Sequence, residues 1–216
     1  PFYKETLKEN STKQNKKFYR KRSSKRFPVP VADRFYGKNN LSKRISDQIL
    51  ASELRDTLEY KYSDIPYFFM KDMLEDRYQK PLETLAMESF YKPLGLVRTT
   101  FNPNKNTPNQ TVIPSEIDTY YRNQELKGEV HDMAAAMLGG VGGHAGLFSN
   151  ANEVAILMQL FLQQGSYADK HYFSTTTFDQ FNQCLYCEEG NRPVSYTHLR
   201  AHETSLHLVC RLLLEK

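Results

Sequence analysis

Five stretches of the chain place apolar residues at helical spacing. In "SKRISDQILASEL" (42–54), Ile45, Ile49, Leu50 and Leu54 recur at near-helical intervals, which predicts a short helix with Ser42 available as its cap. "YSDIPYFFMKDMLEDRYQ" (62–79) puts Tyr67, Met70, Leu74 and Tyr78 on one face, with Ser63 or Asp64 placed to cap and Pro66 tolerated in the first turn. A further helix is expected from Pro81 to about Tyr91, apolar at Leu82, Leu85, Ala86 and Phe90 and stopped by "KPLGL". Asn150 with Glu153 fits a capping arrangement, followed by the stripe Val154, Leu157, Met158, Phe161 and Leu162 up to Gly165. The last helix is predicted from about Ser174 to Tyr186, with Phe178 and Phe181 facing inward.

Elsewhere the helical period is absent. "FPVPVADRFYG" (27–37) reads as extended chain, because its two prolines disfavour helix. Residues 101–128 are rich in Asn, Pro and Thr and read as a long irregular loop with at most short strands, a length that in compact domains often serves function. No apolar run approaches the roughly 20 residues a membrane-crossing helix needs. Pro1 is not a methionine and no signal segment opens the chain, so the natural start is expected upstream.

Charge changes the picture at one end. Residues 1–44 hold 14 of the 29 Lys and Arg and only three acids, Glu5, Glu9 and Asp33. "KQNKKFYRKRSSKR" (13–26), with Phe18 and Tyr19 among its cations, has the composition of a nucleic-acid contact, but no recognised nucleic-acid motif accompanies it. The segment is therefore expected to be a basic surface insertion or loop, and no nucleic-acid partner is expected. Three cysteines exclude a disulfide-dense scaffold, and Cys184 and Cys187 form a lone C-x-x-C with no second pair to complete a zinc site.

The tail "PVSYTHLRAHETSLHLVCRLLLEK" (193–216) concentrates His198, His202, Glu203, His207 and Cys210. Read back into codons, both of its halves resemble the transposon-end and adapter DNA of sequencing libraries, in frame and at the separation that a variable index would occupy. It is set aside as non-biological, as an expression scar would be, which leaves His131, His144 and His171 as histidines to weigh.

The densest chemistry lies in "EVHDMAAAMLGGVGGHAGLFSN" (129–150). It lacks G-x-x-x-x-G-K-[ST] and does not fit G-x-G-x-x-G after a clear strand, so a phosphate cradle is not expected. His131, Asp132 and His144 could bind a metal, yet no further His or Cys is placed to complete three or four convergent ligands, and no metal or cofactor is expected. The remaining readings are a bend that lets backbone pass close to a cleft, with His144 hydrogen-bonded to hold it and Phe148 entering the core, or the same bend as pure scaffold. There is no G-x-S-x-G. The one Ser-x-x-Lys, Ser89 to Lys92, closes an amphipathic helix and reads as helix surface.

"YKYSDIPYFFMKDMLE", "FYKPLGLVRTTFNP", "GEVHDMAAAMLGGVGGHAGLFSNANEVAILMQLFLQQGSY" and "YFSTTTFDQFN" together resemble the beta-lactamase-related serine hydrolases, in the branch often fused behind a family 3 glycoside hydrolase domain. The resemblance covers about residues 1–192. It implies an α/β (α+β) fold of the beta-lactamase/transpeptidase type, of which 45–192 would be a partial domain: mainly the helical subdomain, incomplete in the sheet. It also implies acylation of a serine from a Ser-x-x-Lys, a Tyr-x-Asn tyrosine that handles the proton, and a late Lys/His-x-Gly strand for the substrate carboxylate.

Tyr62-Ser63-Asp64 is similar to the Tyr-x-Asn element, so Tyr62 and Asp64 are the catalytic candidates that the resemblance implies, and Gly143 and His144 the substrate-binding ones. An unperturbed tyrosine, near pKa 10, is a poor base at neutral pH, so Tyr62 would need neighbouring cations. Asp64 departs from the usual asparagine: an ionised carboxylate there would raise the tyrosine's pKa. The nucleophile is expected upstream of this chain and the Lys/His-x-Gly strand after residue 192. The expectation is thus a fragment, inactive as written, of a periplasmic or secreted serine hydrolase acting on an amide or ester, with a small-molecule or peptidoglycan-derived substrate. The alternatives are a non-catalytic module beside a beta-N-acetylhexosaminidase-type glycoside hydrolase, and a nucleic-acid-binding module centred on 13–26.

Overall fold

In a computed structural model of the chain, residues 2–9, 11–54, 62–108 and 111–182 are described. Cys184, Cys187, the expected end of the last helix at Tyr186 and the 193–216 tail lie outside them. Packing divides the chain into two units, one of residues 1–54, 63–88 and 97–148, the other of 55–62, 89–96 and 149–216.

The first unit opens with a three-stranded antiparallel sheet, β1 (Tyr19–Arg20), β2 (Val29–Ala32) and β3 (Phe35–Gly37), in the order β1-β3-β2. Pro30, which cannot donate to a ladder, sits in the edge strand β2, where the register shifts before Ala32. This segment corrects the expectation of a surface insertion. The cations of 13–26 are exposed, but Phe18, Tyr19, Phe27, Val31, Ala32 and Phe35 are buried. The reason is that the short strands turn their apolar residues inward while the cations lie over the outer ring faces. The Arg20 guanidinium sits 4.5 Å from the Phe27 ring centroid, and that of Arg44 4.9 Å from Phe18.

Helix α1 (Leu41–Leu50) buries Leu41, Ile45 and Ile49 at i, i+4 and i+8, whereas Leu50 and Leu54 are exposed. Asn40, not Ser42, occupies the cap position. Helix α2 (Ile65–Tyr78) starts where the sequence predicts, with Ser63 Oγ accepting from the Ile65 N–H at 3.2 Å. Its inward face is rotated from the predicted one. Phe68 is buried, Ile65, Lys71, Leu74 and Glu75 are half-buried, and Met70 and Tyr78 are exposed. Lys71 and Glu75 tolerate this position because they neutralise each other at 2.6 Å.

Helix α3 (Leu82–Ala86) widens into a π-helical turn over Met87–Tyr91, so the predicted single helix changes pitch halfway. Strand β4 (Thr100–Phe101) precedes α4 (Pro103–Asn106). The expected irregular loop holds a hairpin, β5 (Glu116–Asp118) with β6 (Gln124–Leu126). Helix α5 (Met133–Met137) was not foreseen, and β7 (Leu147–Phe148) pairs with β4, leaving Phe148 half-buried. The core of this unit gathers Leu41, Ile45, Tyr121, Leu126, Ala135, Ala136 and Met137 from segments far apart in the chain. Each large apolar side chain so buried contributes about 1.5–3 kcal/mol before chain entropy is counted.

The second unit is smaller. Helix α6 (Ala151–Leu162) is capped as predicted, Asn150 Oδ1 accepting from the Glu153 N–H at 3.1 Å. Leu160 is its buried apolar residue, packed with Leu94 and Leu96 and flanked by Ile156, Leu157, Tyr167 and Phe173. Phe161 and Leu162, expected inside, are exposed. A hairpin of β8 (Ser166–Tyr167) and β9 (Lys170–His171) leads to α7 (Thr175–Asn182), where Ser174 Oγ accepts from the Thr177 N–H. Phe178 is half-buried, but Phe181 is exposed, against its predicted inward face. Among the described residues no helix is long and apolar enough to cross a membrane.

Candidate active site

The glycine-rich run is held by one acid. Asp132 caps α5 by accepting from the Ala135 N–H at 2.7 Å, and the same Oδ1 lies 2.9 Å from His144 Nε2. The His144 ring is almost wholly enclosed and stacks on Phe68 of α2, centroids 4.4 Å apart and planes 19° from parallel. Burial by itself would raise the Asp132 pKa. Hydrogen bonds from His144 and the Ala135 N–H outweigh it and hold the carboxyl below its ordinary value.

Between these two residues the chain must reverse. Helix α5 ends through Gly139 and Gly140, both at positive φ, with the Gly140 N–H donating to the Ala135 carbonyl at 2.9 Å. Asn102 Nδ2 donates to the Gly139 carbonyl at 3.0 Å and fixes the turn from outside. Gly143 then passes so close to α2 that a Cβ there would collide with the Tyr67 carbonyl oxygen. Only glycine admits that approach. Gly143 and His144 thus pack on the first turns of α2, the helix that Asp64 begins.

Asp64 occupies the cap position of α2 without a side-chain cap bond to the helix. Tyr62, two residues earlier, belongs to the second unit and is 45% exposed. Ser89 and Lys92, the one Ser-x-x-Lys, are both exposed. His131 does not join His144: its Nδ1 lies 2.9 Å from Glu116 Oε2 on the β5 strand. Among the described residues no three His, Cys, Asp or Glu side chains converge as metal ligands would.

A second buried pair, which sequence reasoning missed, supports the run from behind. Asp118 and Arg122 are wholly withdrawn from solvent, Arg122 Nε donating to Asp118 Oδ2 at 2.6 Å. Asp118 also accepts from the N–H groups of Tyr120, Tyr121 and Arg122. Arg122 in turn donates to the carbonyls of Val130 at 2.5 Å and His131 at 2.6 Å, the two residues before Asp132. Burial would raise the Asp118 pKa, but the Arg122 bond and the three backbone donors keep it low. The readable signal was an acid and an arginine four apart around two tyrosines, in a stretch otherwise too polar for a core. Beside it, a hydrogen bond to Glu116 and burial push Tyr120 up to about 12.

Comparison with known proteins bears on this arrangement. The pattern of the family described as Beta-lactamase matches residues 23–182. An Escherichia coli (strain K12) protein named "Putative D-alanyl-D-alanine carboxypeptidase" is 37% identical over 152 residues, 62% of this chain and 35% of that protein. A protein of the same name from Salmonella agona is 33% identical over 175 residues, 70% of this chain and 40% of that protein. The chain therefore spans well under half the length of these relatives.

Proposed function

The chain belongs to the beta-lactamase family, and from that premise we propose that it is part of a serine hydrolase that cleaves an amide or ester by acylating a serine. Its mixture of helices and short antiparallel strands fits such an α/β fold. The substrate proposed is a peptidoglycan-derived peptide ending in D-alanyl-D-alanine, the dipeptide in the relatives' printed name, and the proposed place of action is the periplasm or the cell exterior. The observation that carries the reading is the family match over 23–182, within which Tyr62-Ser63-Asp64 leads into α2 and the Gly143–His144 bend packs on that helix.

In this proposal Tyr62 accepts the proton of the nucleophilic serine as it attacks the carbonyl and returns it to the leaving group. The nucleophile in this proposal is a serine of the whole protein other than Ser89, which stands on an exposed helix surface. Gly143 and His144 are proposed to act through the bend, which sets the backbone against the first turns of α2. Asp132 and His144 carry no proton in the reaction; they hold the bend.

The test uses the whole protein, recovered by sequencing the locus outward from the codons of Tyr62 and Gly143. A fluorescent β-lactam should label it covalently, and Tyr62→Phe should lower the acylation rate by roughly 100-fold or more, the contribution expected of a positioned general base. Equal labelling of the Tyr62→Phe protein would remove Tyr62 from the mechanism. If the whole protein is never labelled, the carboxylate at Asp64 favours the second reading, a non-catalytic module beside a glycoside hydrolase.

A further inference from the structure

The first unit contains a cleft of about 540 Å³ that none of Tyr62, Asp64, Gly143 or His144 lines. Its walls come from the β2–β3 turn, the middle of α2, the start of α3, the 102–105 segment and the chain on either side of α5. The size falls within the range of small-molecule sites.

The charges on its walls do not all cancel internally. Asp33 and Arg34 lie 3.5 Å apart, and Lys71 and Glu75 2.6 Å apart. Glu75 is committed further, its Oε1 accepting from the Leu82 N–H at 2.8 Å. Glu129 accepts from the Lys127 N–H at 2.8 Å and from Asn104. Two wall charges have no such partner among the described residues, the carboxylate of Glu83 and the ammonium of Lys105. Glu83 is half-buried, and its Oε2 is withdrawn from solvent with no hydrogen-bond donor facing it. Glu83 lines the cleft and has no cation among the described residues to neutralise it, so a ligand cation held in the cleft beside it gains an attraction that no lysine or arginine of the wall supplies.

We propose that this cleft binds a small zwitterion, a free amino acid or dipeptide, with its ammonium at Glu83 and its carboxylate at Lys105. One carboxylate and one ammonium without an ion-pair partner among the described residues, both lining the same cleft, favour such a ligand over a simple anion, a simple cation or an uncharged sugar. The Asn102 and Asn104 side chains are held by backbone carbonyls at Gly139 and Lys127, so that wall of the cleft is preformed. The inference is independent of the hydrolase reading, because it uses none of the residues assigned to that reaction.

The experiment is an NMR titration of the whole protein, ¹⁵N-labelled at glycine, with glycylglycine, following the amides of Gly128, Gly139 and Gly140, which line the cleft. Saturable shifts at these glycines are expected. N-acetylglycylglycine, which lacks the ammonium, should bind at least tenfold more weakly, and Glu83→Gln should weaken glycylglycine by a similar factor. Lys105→Ala, at an exposed position where folding is not at risk, should weaken it severalfold; unperturbed glycine amides in each variant report an intact fold. Absent or unsaturable shifts, equal binding of the acetylated peptide, or unchanged affinity in both variants would overturn the proposal. Loss of binding here would leave β-lactam labelling of the whole protein untouched, and the reverse also holds.

Discussion

The two buried acid–base pairs of the first unit are built differently. Asp118 and Arg122 are four residues apart in one hairpin, wholly buried, and saturated by backbone donors and acceptors on every side. Asp132 and His144 are twelve apart, span the glycine bend, and leave Asp132 about one-third exposed. The first pair fastens a loop to the strand behind the site. The second fixes how closely that bend approaches α2, since His144 stacks on Phe68 and Gly143 meets the Tyr67 carbonyl. Complete burial and saturation mark a fastening point, whereas an aromatic stack beside a backbone contact marks a positioning one.

The largest effect should come from breaking the fully buried pair. Arg122→Met leaves Asp118 buried without its cation and should cost about 3–5 kcal/mol in a urea melt. Replacing both partners with apolar residues should cost less than the single change, because no orphaned charge remains; a double variant as unstable as Arg122→Met would show that the backbone bonds, not the charge, dominate.

Asp132→Ala comes next, at roughly 2.5–4 kcal/mol, because it removes a helix cap and a charge-assisted bond to His144 together. Asp132→Asn keeps the cap but not the charge. Both Asp118 and Asp132 have folded pKa values below their unfolded ones. Their contribution to stability is therefore complete above the unfolded value near 3.9 and is lost as pH falls through the lower folded value. Melting temperature measured from about pH 6 downward should thus fall less steeply for Asp132→Asn than for the parent. Equal acid limbs would show that His144 does not hold the carboxylate charged.

Gly143→Ala should cost about 1–3 kcal/mol by forcing a methyl against the Tyr67 carbonyl. In the whole protein it should slow acylation more than Asp118 or Arg122 variants of equal residual stability. The smallest effect is expected at Asn150→Ala, about 1 kcal/mol, because that cap carries a single bond to Glu153 and no second duty. If Asn150→Ala matched Asp132→Ala, the extra bond of Asp132 to His144 would be worth nothing.

What could be read from the chain alone was local. The Asn150–Glu153 cap, the start of α2 after Ser63 and the existence of helix α6 depend on residues within one or two turns, so the sequence carries them, although α6 buries Leu160 rather than Phe161 and Leu162. The glycine-rich bend and the hydrogen-bonded state of His144 were also legible, because so many glycines in one run have few other uses. Tertiary structure decided the rest. Which face of α2 points inward turned on a Lys71–Glu75 pair that neutralises itself, and the burial of Tyr19 turned on Tyr121, about a hundred residues away, whose ring lies 6.0 Å from that of Tyr19. The pairing of Asp118 with Arg122 needed the hairpin to close, and the need for glycine at 143 came from the backbone of helix α2. Short-range propensity acts along the chain and can be read there, whereas burial and close approach are properties of segments that meet only once the chain has folded.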